Sequence, residues 1–203
     1  MNEILPGVFH WTARHPKTGG QASSYFIAES GTVLDPMVPP DAGLGWFEGD
    51  REVQYVALTN RHHDREADRY CESFEVAPVL VPESGLYEFS DKDLEVRGYA
   101  PGEEIIPGIV SHEVGAICPD DMALEIRSAG ALAMADGLVH MGEVRFVSDD
   151  LMDDPQDTKR ALARSLEELL DVDFDTLLFA HGTPIVGDGK QALRDFLATN
   201  PGG

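Results

Sequence analysis

Imidazole and carboxylate side chains stand at four places in the sequence where an apolar segment ends. One is the polar segment 60–65, and the other three are centred on His112, Asp136 and His181. Neutral imidazole and ionised carboxylate are common protein ligands of divalent metal ions such as zinc. The four places together therefore predict a metal site that activates water or supports a redox reaction.

The spacing within segment 60–65 decides which of its side chains can share a ligand. If the segment continues an extended strand, side chains two residues apart point in the same direction. His62 and Asp64 are then predicted to converge on one point. His63 is one residue out of register and would turn away, unless a bulge in the backbone turns it inward. The sequence leaves both arrangements of His63 open.

Predicted strands and helices explain how four distant places could form one site. The predicted strands are 7–11, 24–27, 32–35, 54–59, 123–127, 131–135 and 176–180, and the predicted helices are 65–71, 155–170 and 191–198. Segments 36–50 and 82–108 are rich in proline, glycine and acidic residues and are predicted to be loops. Strands and helices mixed in one core indicate an α/β or α+β fold, in which strand ends gather side chains at one edge.

The length of 203 residues and the hydrophobic content of 42% suffice for one folded domain spanning residues 1–203. The two cysteines, Cys71 and Cys118, are too few for a disulfide framework or a thiolate zinc site. No apolar run approaches the ~20 residues of a membrane span, and the N-terminal residues lack the pattern of a secretory signal. We therefore expect a cytoplasmic protein.

The strongest signal in the composition is the charge. The chain has 37 Asp and Glu residues against 15 Lys and Arg residues, which gives a formal net charge of -22. Such a surface repels nucleic acid and anionic membranes, so we expect neither as a partner and expect a small-molecule substrate instead. The scarcity of lysine resembles proteins of salt-loving microbes, although simple solubility explains the acidic surface equally well.

The order and spacing of these segments resemble the metallo-β-lactamase superfamily over nearly the whole chain. Segment 58–65 stands where the family carries the motif H-x-H-x-D-H, and Asp136 follows His112 by 24 residues, as the bridging aspartate follows the third histidine. The other matching segments are 5–9, 23–27, 32–36 and 180–185. The resemblance implies a four-layer αβ/βα sandwich and a site for one or two metal ions.

Two positions of the motif depart from the family pattern, since Asn60 and Arg65 replace its first and last histidines. Each of the two family metal sites has therefore lost one ligand, and a permanently charged guanidinium repels a second dication. The resemblance implies one metal ion or none. The metal ligands that remain by this mapping are His62, Asp64, His112, Asp136 and His181.

The first hypothesis is a metal-dependent hydrolase of an ester, thioester, lactone or phosphodiester. One divalent ion, expected to be zinc, would be held by His62, His112 and Asp136, with His181 or Asp64 nearby, and would activate water.

The other polar groups of segment 60–65 receive catalytic and substrate-binding roles under this hypothesis. Asp64, if it does not bind metal, is predicted to accept the proton of water as a general base. Arg65 is predicted to hold a substrate carboxylate or a developing oxyanion, with Asn60 as a second substrate contact.

Two other functions stay open. A superfamily member that has lost two ligands can be catalytically inactive and keep the scaffold to bind a ligand. Alternatively, two histidines and one carboxylate form the ligand set of mononuclear non-haem iron enzymes, which suggests an oxidoreductase that acts on a sulfur compound.

Overall fold

The computed structural model describes residues 1–202, and its larger sheet contains seven strands in the order of the sequence. The first three strand pairings are antiparallel and the last three are parallel. These strands are β1 (Asn2–Leu5), β2 (Val8–Arg14), β3 (Gln21–Ile27), β4 (Thr32–Leu34), β5 (Tyr55–Ala57), β6 (Val79–Pro82) and β7 (Val96–Tyr99).

The second half of the chain supplies a smaller sheet and a separate hairpin. Its strands are β8 (Glu104–Ile106), β9 (Ile109–Glu113), β10 (Met122–Ile126), β11 (Ala131–Met134), β12 (Leu138–His140), β13 (Val144–Phe146) and β14 (Thr176–Phe179). Five of them form the smaller sheet in the order β14-β11-β10-β9-β8, and β12 and β13 form the hairpin. Within the smaller sheet β11 and β14 are parallel, and the other neighbours are antiparallel.

The α-helices within residues 1–202 are α1 (Ala67–Phe74), α2 (Pro155–Glu168) and α3 (Gly189–Thr199). α2 begins where the sequence predicted, because the Asp154 carboxylate accepts hydrogen bonds from the backbone N–H groups of Gln156 and Asp157. No helix in this range is both long enough and apolar enough to cross a membrane.

Three groups of buried side chains divide the molecule into four layers. The central group lies between the two sheets and includes Leu34 and Leu124. A second group packs α2 and α3 on the outer face of the smaller sheet and includes Leu132 and Leu162. The third packs α1 on the outer face of the larger sheet and includes Tyr70. This order of layers confirms the predicted four-layer αβ/βα sandwich.

The sequence predicted segment 82–108 to be a loop, but the segment contains regular structure. It includes a 3₁₀ helix (Glu83–Phe89) and the strands β7 and β8. The glycine content was misleading because Gly98 lies inside β7, where a Cβ atom would approach Cδ1 of Leu86 to 2.8 Å. Glycine serves close packing at this position rather than a turn.

Two pairs of parallel strands bring the candidate residues to one end of the sandwich. In the larger sheet Asp35 follows β4, and the neighbouring β5 leads into segment 58–65. In the smaller sheet Asp136 and His181 follow the parallel strands β11 and β14. The two edges meet, since the ring of His63 lies 5.5 Å from the ring of His181.

Tyr25 connects the two sheets next to this edge. Its hydroxyl donates to the backbone carbonyl oxygen of Phe179 at 2.8 Å and accepts from the backbone N–H of the same residue at 3.0 Å. Tyr25 is 2% exposed and lies in β3, whereas Phe179 ends β14, the edge strand of the smaller sheet. One buried hydroxyl therefore satisfies both backbone groups of Phe179.

Replacing Tyr25 with phenylalanine is expected to lower the free energy of unfolding by about 1–3 kcal/mol, because two buried backbone groups lose their partner. Urea denaturation followed by circular dichroism measures the change. Tyr87→Phe is the control, since the Tyr87 side chain is 61% exposed. Equal effects of the two substitutions would show that the hydroxyl link between the sheets contributes nothing.

Candidate metal centre

The backbone after β5 does not continue as an extended strand but turns into a 3₁₀ helix at Arg61–Asp64. Asn60 caps this helix, because its Oδ1 accepts a hydrogen bond from the backbone N–H of His62 at 2.9 Å. The segment is kinked at His63, whose φ of -93° and ψ of 19° are not helical, so the alternation of an extended strand is lost and His62 and Asp64 diverge. His63, which lies between them, is turned inward and is only 3% exposed.

His63 lies at the closed end of the site, with a carboxylate next to each ring nitrogen. Its Nδ1 is 3.0 Å from Oδ2 of Asp35 and 2.9 Å from Oγ1 of Thr59, and its Nε2 is 3.3 Å from Oδ1 of Asp136. Burial acts to lower the pKa of His63, but the carboxylates of Asp35 and Asp136 outweigh it and raise the pKa to about 9. A metal ion that binds Nε2 would therefore displace a proton.

Asp136 is the central residue of the cluster. Its Oδ1 is 3.3 Å from Nε2 of His63 and 3.1 Å from Nε2 of His181, while its Oδ2 accepts a hydrogen bond from the Asn60 side-chain amide at 2.8 Å. Burial acts to raise the pKa of Asp136, but the two histidines hold it well below its usual value. The carboxylate is therefore ionised, with one oxygen directed at both imidazoles.

A second carboxylate holds the backbone of Asp136 in place. Oδ1 of the fully buried Asp121 accepts a hydrogen bond from the N–H of Asp136 at 2.9 Å, and Oδ2 accepts from the N–H of Gly137 at 3.1 Å. Burial and the charge of Asp136 raise the pKa of Asp121 to about 7. A Cβ atom on residue 137 would lie 2.8 Å from Oδ2 of Asp121, so this close approach depends on glycine.

His181 forms the open side of the cluster. Its side chain is 34% exposed, whereas that of His63 is 4% exposed. The Nδ1 atom of His181 is 3.4 Å from the backbone carbonyl oxygen of Gln21, which leaves Nε2 directed at Asp136. Access from solvent is therefore on the His181 side.

The cluster offers a suitable donor set for one divalent ion. One ligand atom from each of His63, Asp136 and His181 lies within 4.8 Å of the other two. Two imidazole nitrogens and one carboxylate oxygen occur in zinc hydrolases and in non-haem iron enzymes. The second polar atom of each side chain has its own neighbour, and such outer neighbours fix the tautomer and orientation of metal ligands. These neighbours are Asp35 for His63, Asn60 for Asp136 and Gln21 for His181.

Arg65 was predicted to contact a substrate, but it belongs to the framework around the cluster. Its side chain is buried, and its guanidinium donates to the backbone carbonyl oxygens of Ser23 at 2.6 Å, Asp35 at 2.8 Å and Ala180 at 3.5 Å. These three residues belong to or follow strands of both sheets. Because the guanidinium donates its hydrogen bonds to the protein backbone, the predicted contact with a substrate carboxylate or oxyanion is wrong.

The structure also places three predicted ligands away from the cluster. His62 is exposed, and Asp64 diverges from it to form an ion pair in which Oδ2 is 2.5 Å from Nζ of Lys92. His112 lies within β9 rather than after it, with its Nε2 at 3.1 Å from Oε2 of Glu125. Within residues 1–202 none of the three joins the group that could hold a metal. The expected convergence of His62 and Asp64 is therefore wrong, as is the placement of His112 beside Asp136.

Two residues of the site were missed in the sequence, Asp35 and Asp121. Asp35 ends the predicted strand 32–35, and Asp121 directly precedes β10 (Met122–Ile126). Each is therefore a carboxylate at the boundary of an apolar strand, which is the same signal that identified Asp136. That signal alone does not separate a turn residue from one that supports a site.

The sequence matches no protein-family model and no curated protein, but many solved structures share its fold. The metallo-β-lactamase DIM-1 has a TM-score of 0.73 at 12% identity, over 97% of this chain and 95% of that chain. A metallo-β-lactamase family protein from Thermus thermophilus has a TM-score of 0.65 at 16% identity, over 97% of this chain and 80% of that chain. The rubredoxin oxygen:oxidoreductase of Desulfovibrio gigas has a TM-score of 0.68 at 14% identity, over 97% of this chain and 60% of that chain.

Sequence identities this low carry no information about substrate, but the extent of the superpositions defines the architecture. The chain therefore has the metallo-β-lactamase fold that the sequence resemblance implied.

Proposed function

We propose that this protein is a metal-dependent hydrolase that binds one divalent ion, zinc in the first instance, through His63, Asp136 and His181. The observation that carries the proposal is the convergence of Nε2 of His63, Nε2 of His181 and Oδ1 of Asp136. In this ligand set His63 and His181 take the places that the sequence had given to His62 and His112.

One ion fits this site better than two. Oδ2 of Asp136 accepts a hydrogen bond from the amide of Asn60, and this bond competes with a second metal for that oxygen. The guanidinium of Arg65 lies at the position where the family motif has a histidine, and its permanent charge disfavours a second dication.

When bound, such an ion lowers the pKa of a coordinated water towards ~7 and polarises a carbonyl or phosphoryl oxygen. The protein groups around it have orienting roles. Asp35 holds Nδ1 of His63, and the Asn60 amide holds the carboxylate of Asp136. The partial exposure of His181 gives a substrate access from that side. Asp64 was predicted from the sequence to act as a general base, but it forms an ion pair with Lys92, so we do not assign it that role.

A non-catalytic function is the second candidate, because Asp136 satisfies both histidines directly and the cluster is complete without a metal. An iron oxidoreductase would use the same two histidines and one carboxylate. The metal content of the purified protein and its reactivity separate these functions. Zinc with hydrolysis supports the proposal, iron with oxygen uptake on thiols supports the oxidoreductase, and no metal with no activity supports the non-catalytic candidate.

His181→Ala is expected to lower the zinc affinity at least tenfold, because one of three ligands is lost. His112→Ala is the matched control, since this histidine contacts Glu125 outside the cluster. Isothermal titration of the metal-free variants with zinc measures both affinities. A loss of affinity in His112→Ala, with His181→Ala unaffected, would contradict the ligand set.

Asn60→Ala is expected to weaken zinc binding about tenfold, because the amide no longer orients Oδ2 of Asp136. Asn200→Ala is the control, since the Asn200 amide donates to the backbone of Phe196 at the end of α3. The same titration applies, with the melting temperature recorded to separate loss of folding from loss of affinity. Equal zinc affinities in the two variants would show that Asn60 does not position Asp136.

The zinc-loaded protein is expected to hydrolyse at least one simple ester, thioester, lactone or phosphodiester, and the metal-free protein is expected to hydrolyse none. His181→Ala should reduce kcat/KM at least a hundredfold, whereas His112→Ala should leave it within about twofold of the unmodified protein. A zinc-loaded protein that binds the ion with full affinity but hydrolyses none of the four classes would overturn the hydrolase assignment.

A further inference from the structure

A pocket of about 430 Å³ opens beside His181, outside the cluster itself. Its lining includes Thr12, Gln21, His140, Met141, Gly142 and Thr183. The pocket and the cluster share a wall, because the carbonyl oxygen of Gln21 contacts His181 and the pocket also includes Gly182, the residue that follows His181. A substrate that reacts at the cluster can therefore extend one of its groups into this pocket.

The pocket lacks permanent charge. None of the residues that line it, all within the described part of the chain, is Asp, Glu, Lys or Arg, although 26% of the chain is charged. Two of its polar side chains are engaged with the backbone of the wall, since Ser23 Oγ donates to the carbonyl oxygen of Gly182 at 2.9 Å and His140 Nδ1 donates to that of Thr183 at 2.6 Å. The surface left for a ligand is therefore mainly apolar.

Met141 presents this apolar character most clearly, because its side chain is 55% exposed at the turn after β12. The neighbouring backbone is fixed, since the N–H of His140 donates to the carbonyl oxygen of His181 at 3.1 Å. The backbone next to Met141 is therefore tied to the backbone of His181 by a hydrogen bond.

We propose that this pocket is the acyl subsite of the hydrolase and takes the uncharged, apolar acyl group of an ester or thioester. The inference rests on the proposed function and names the substrate class. The lining offers no cation to pair with a carboxylate or phosphate, and the net charge of -22 repels one. The volume lies within the range of about 300–1,000 Å³ that is usual for small-ligand pockets.

Two esters of p-nitrophenol test the subsite on the zinc-loaded protein. Each methylene that enters an apolar pocket contributes about fourfold to binding, so kcat/KM for the butyrate should exceed that for the acetate about tenfold or more. Met141→Glu should reduce this ratio at least fivefold, because it places a charge at the apolar wall. Leu151→Glu is the matched control, since Leu151 is 63% exposed and does not line the pocket, and it should leave the ratio unchanged.

Binding to the metal-free protein provides a readout that is independent of catalysis. In ligand-observed NMR, hexanamide should bind, hexanoate should bind at least tenfold more weakly, and Met141→Glu but not Leu151→Glu should abolish hexanamide binding. If hexanamide binds in this way and no ester is hydrolysed, the pocket stands and the hydrolase proposal falls. If hexanoate binds as well as hexanamide, if neither binds, or if Met141→Glu leaves the ester ratio unchanged, the subsite is overturned.

Discussion

One oxygen of Asp136 serves two imidazoles, and the edge where the two sheets meet is arranged around this carboxylate. The Asn60 amide holds its other oxygen, and Asp121 holds the backbone from which it extends. A free carboxylate rotates about its terminal torsion and loses the shared geometry. With these two supports, His63 and His181 can approach Asp136 from opposite sheets.

The guanidinium of Arg65 provides the second constraint on this edge. A buried cation and the buried carboxylate of Asp35 would each be costly alone, but Arg65 and His63 compensate the charge of Asp35. Burial acts to raise the pKa of Asp35, and His63, Arg65 and Thr59 outweigh it and lower the pKa. The same guanidinium joins the backbone of both sheets through three carbonyl oxygens. At the position that the sequence resemblance aligns with a histidine of the family motif, this chain therefore carries a fixed positive charge that connects the framework.

The fold and part of the site could be predicted from the sequence because they depend on patterns of apolar strands. Asp136 and His181 meet because they follow parallel neighbours, β11 and β14, which is the arrangement expected for strand ends. The prediction that His62 points into the site assumed an extended strand, in which side chains alternate in direction. The segment capped by Asn60 instead forms a 3₁₀ helix, and the next residue, His63, is the one turned inward. The prediction that His112 is a metal ligand at a strand end was wrong because β9 continues through His112, which pairs with Ala123 of β10. Local backbone geometry of this kind is decided by capping and tertiary contacts, which spacing alone does not encode.

Anomalous diffraction at the zinc edge, from crystals of the protein soaked with zinc, tests the central claim most directly. The account predicts one zinc peak about 2.0–2.2 Å from Nε2 of His63, Nε2 of His181 and Oδ1 of Asp136, with no second peak beside Arg65. A peak at His62 or His112, two peaks bridged by Asp136, or no peak at all while both histidines stay on the carboxylate would contradict it.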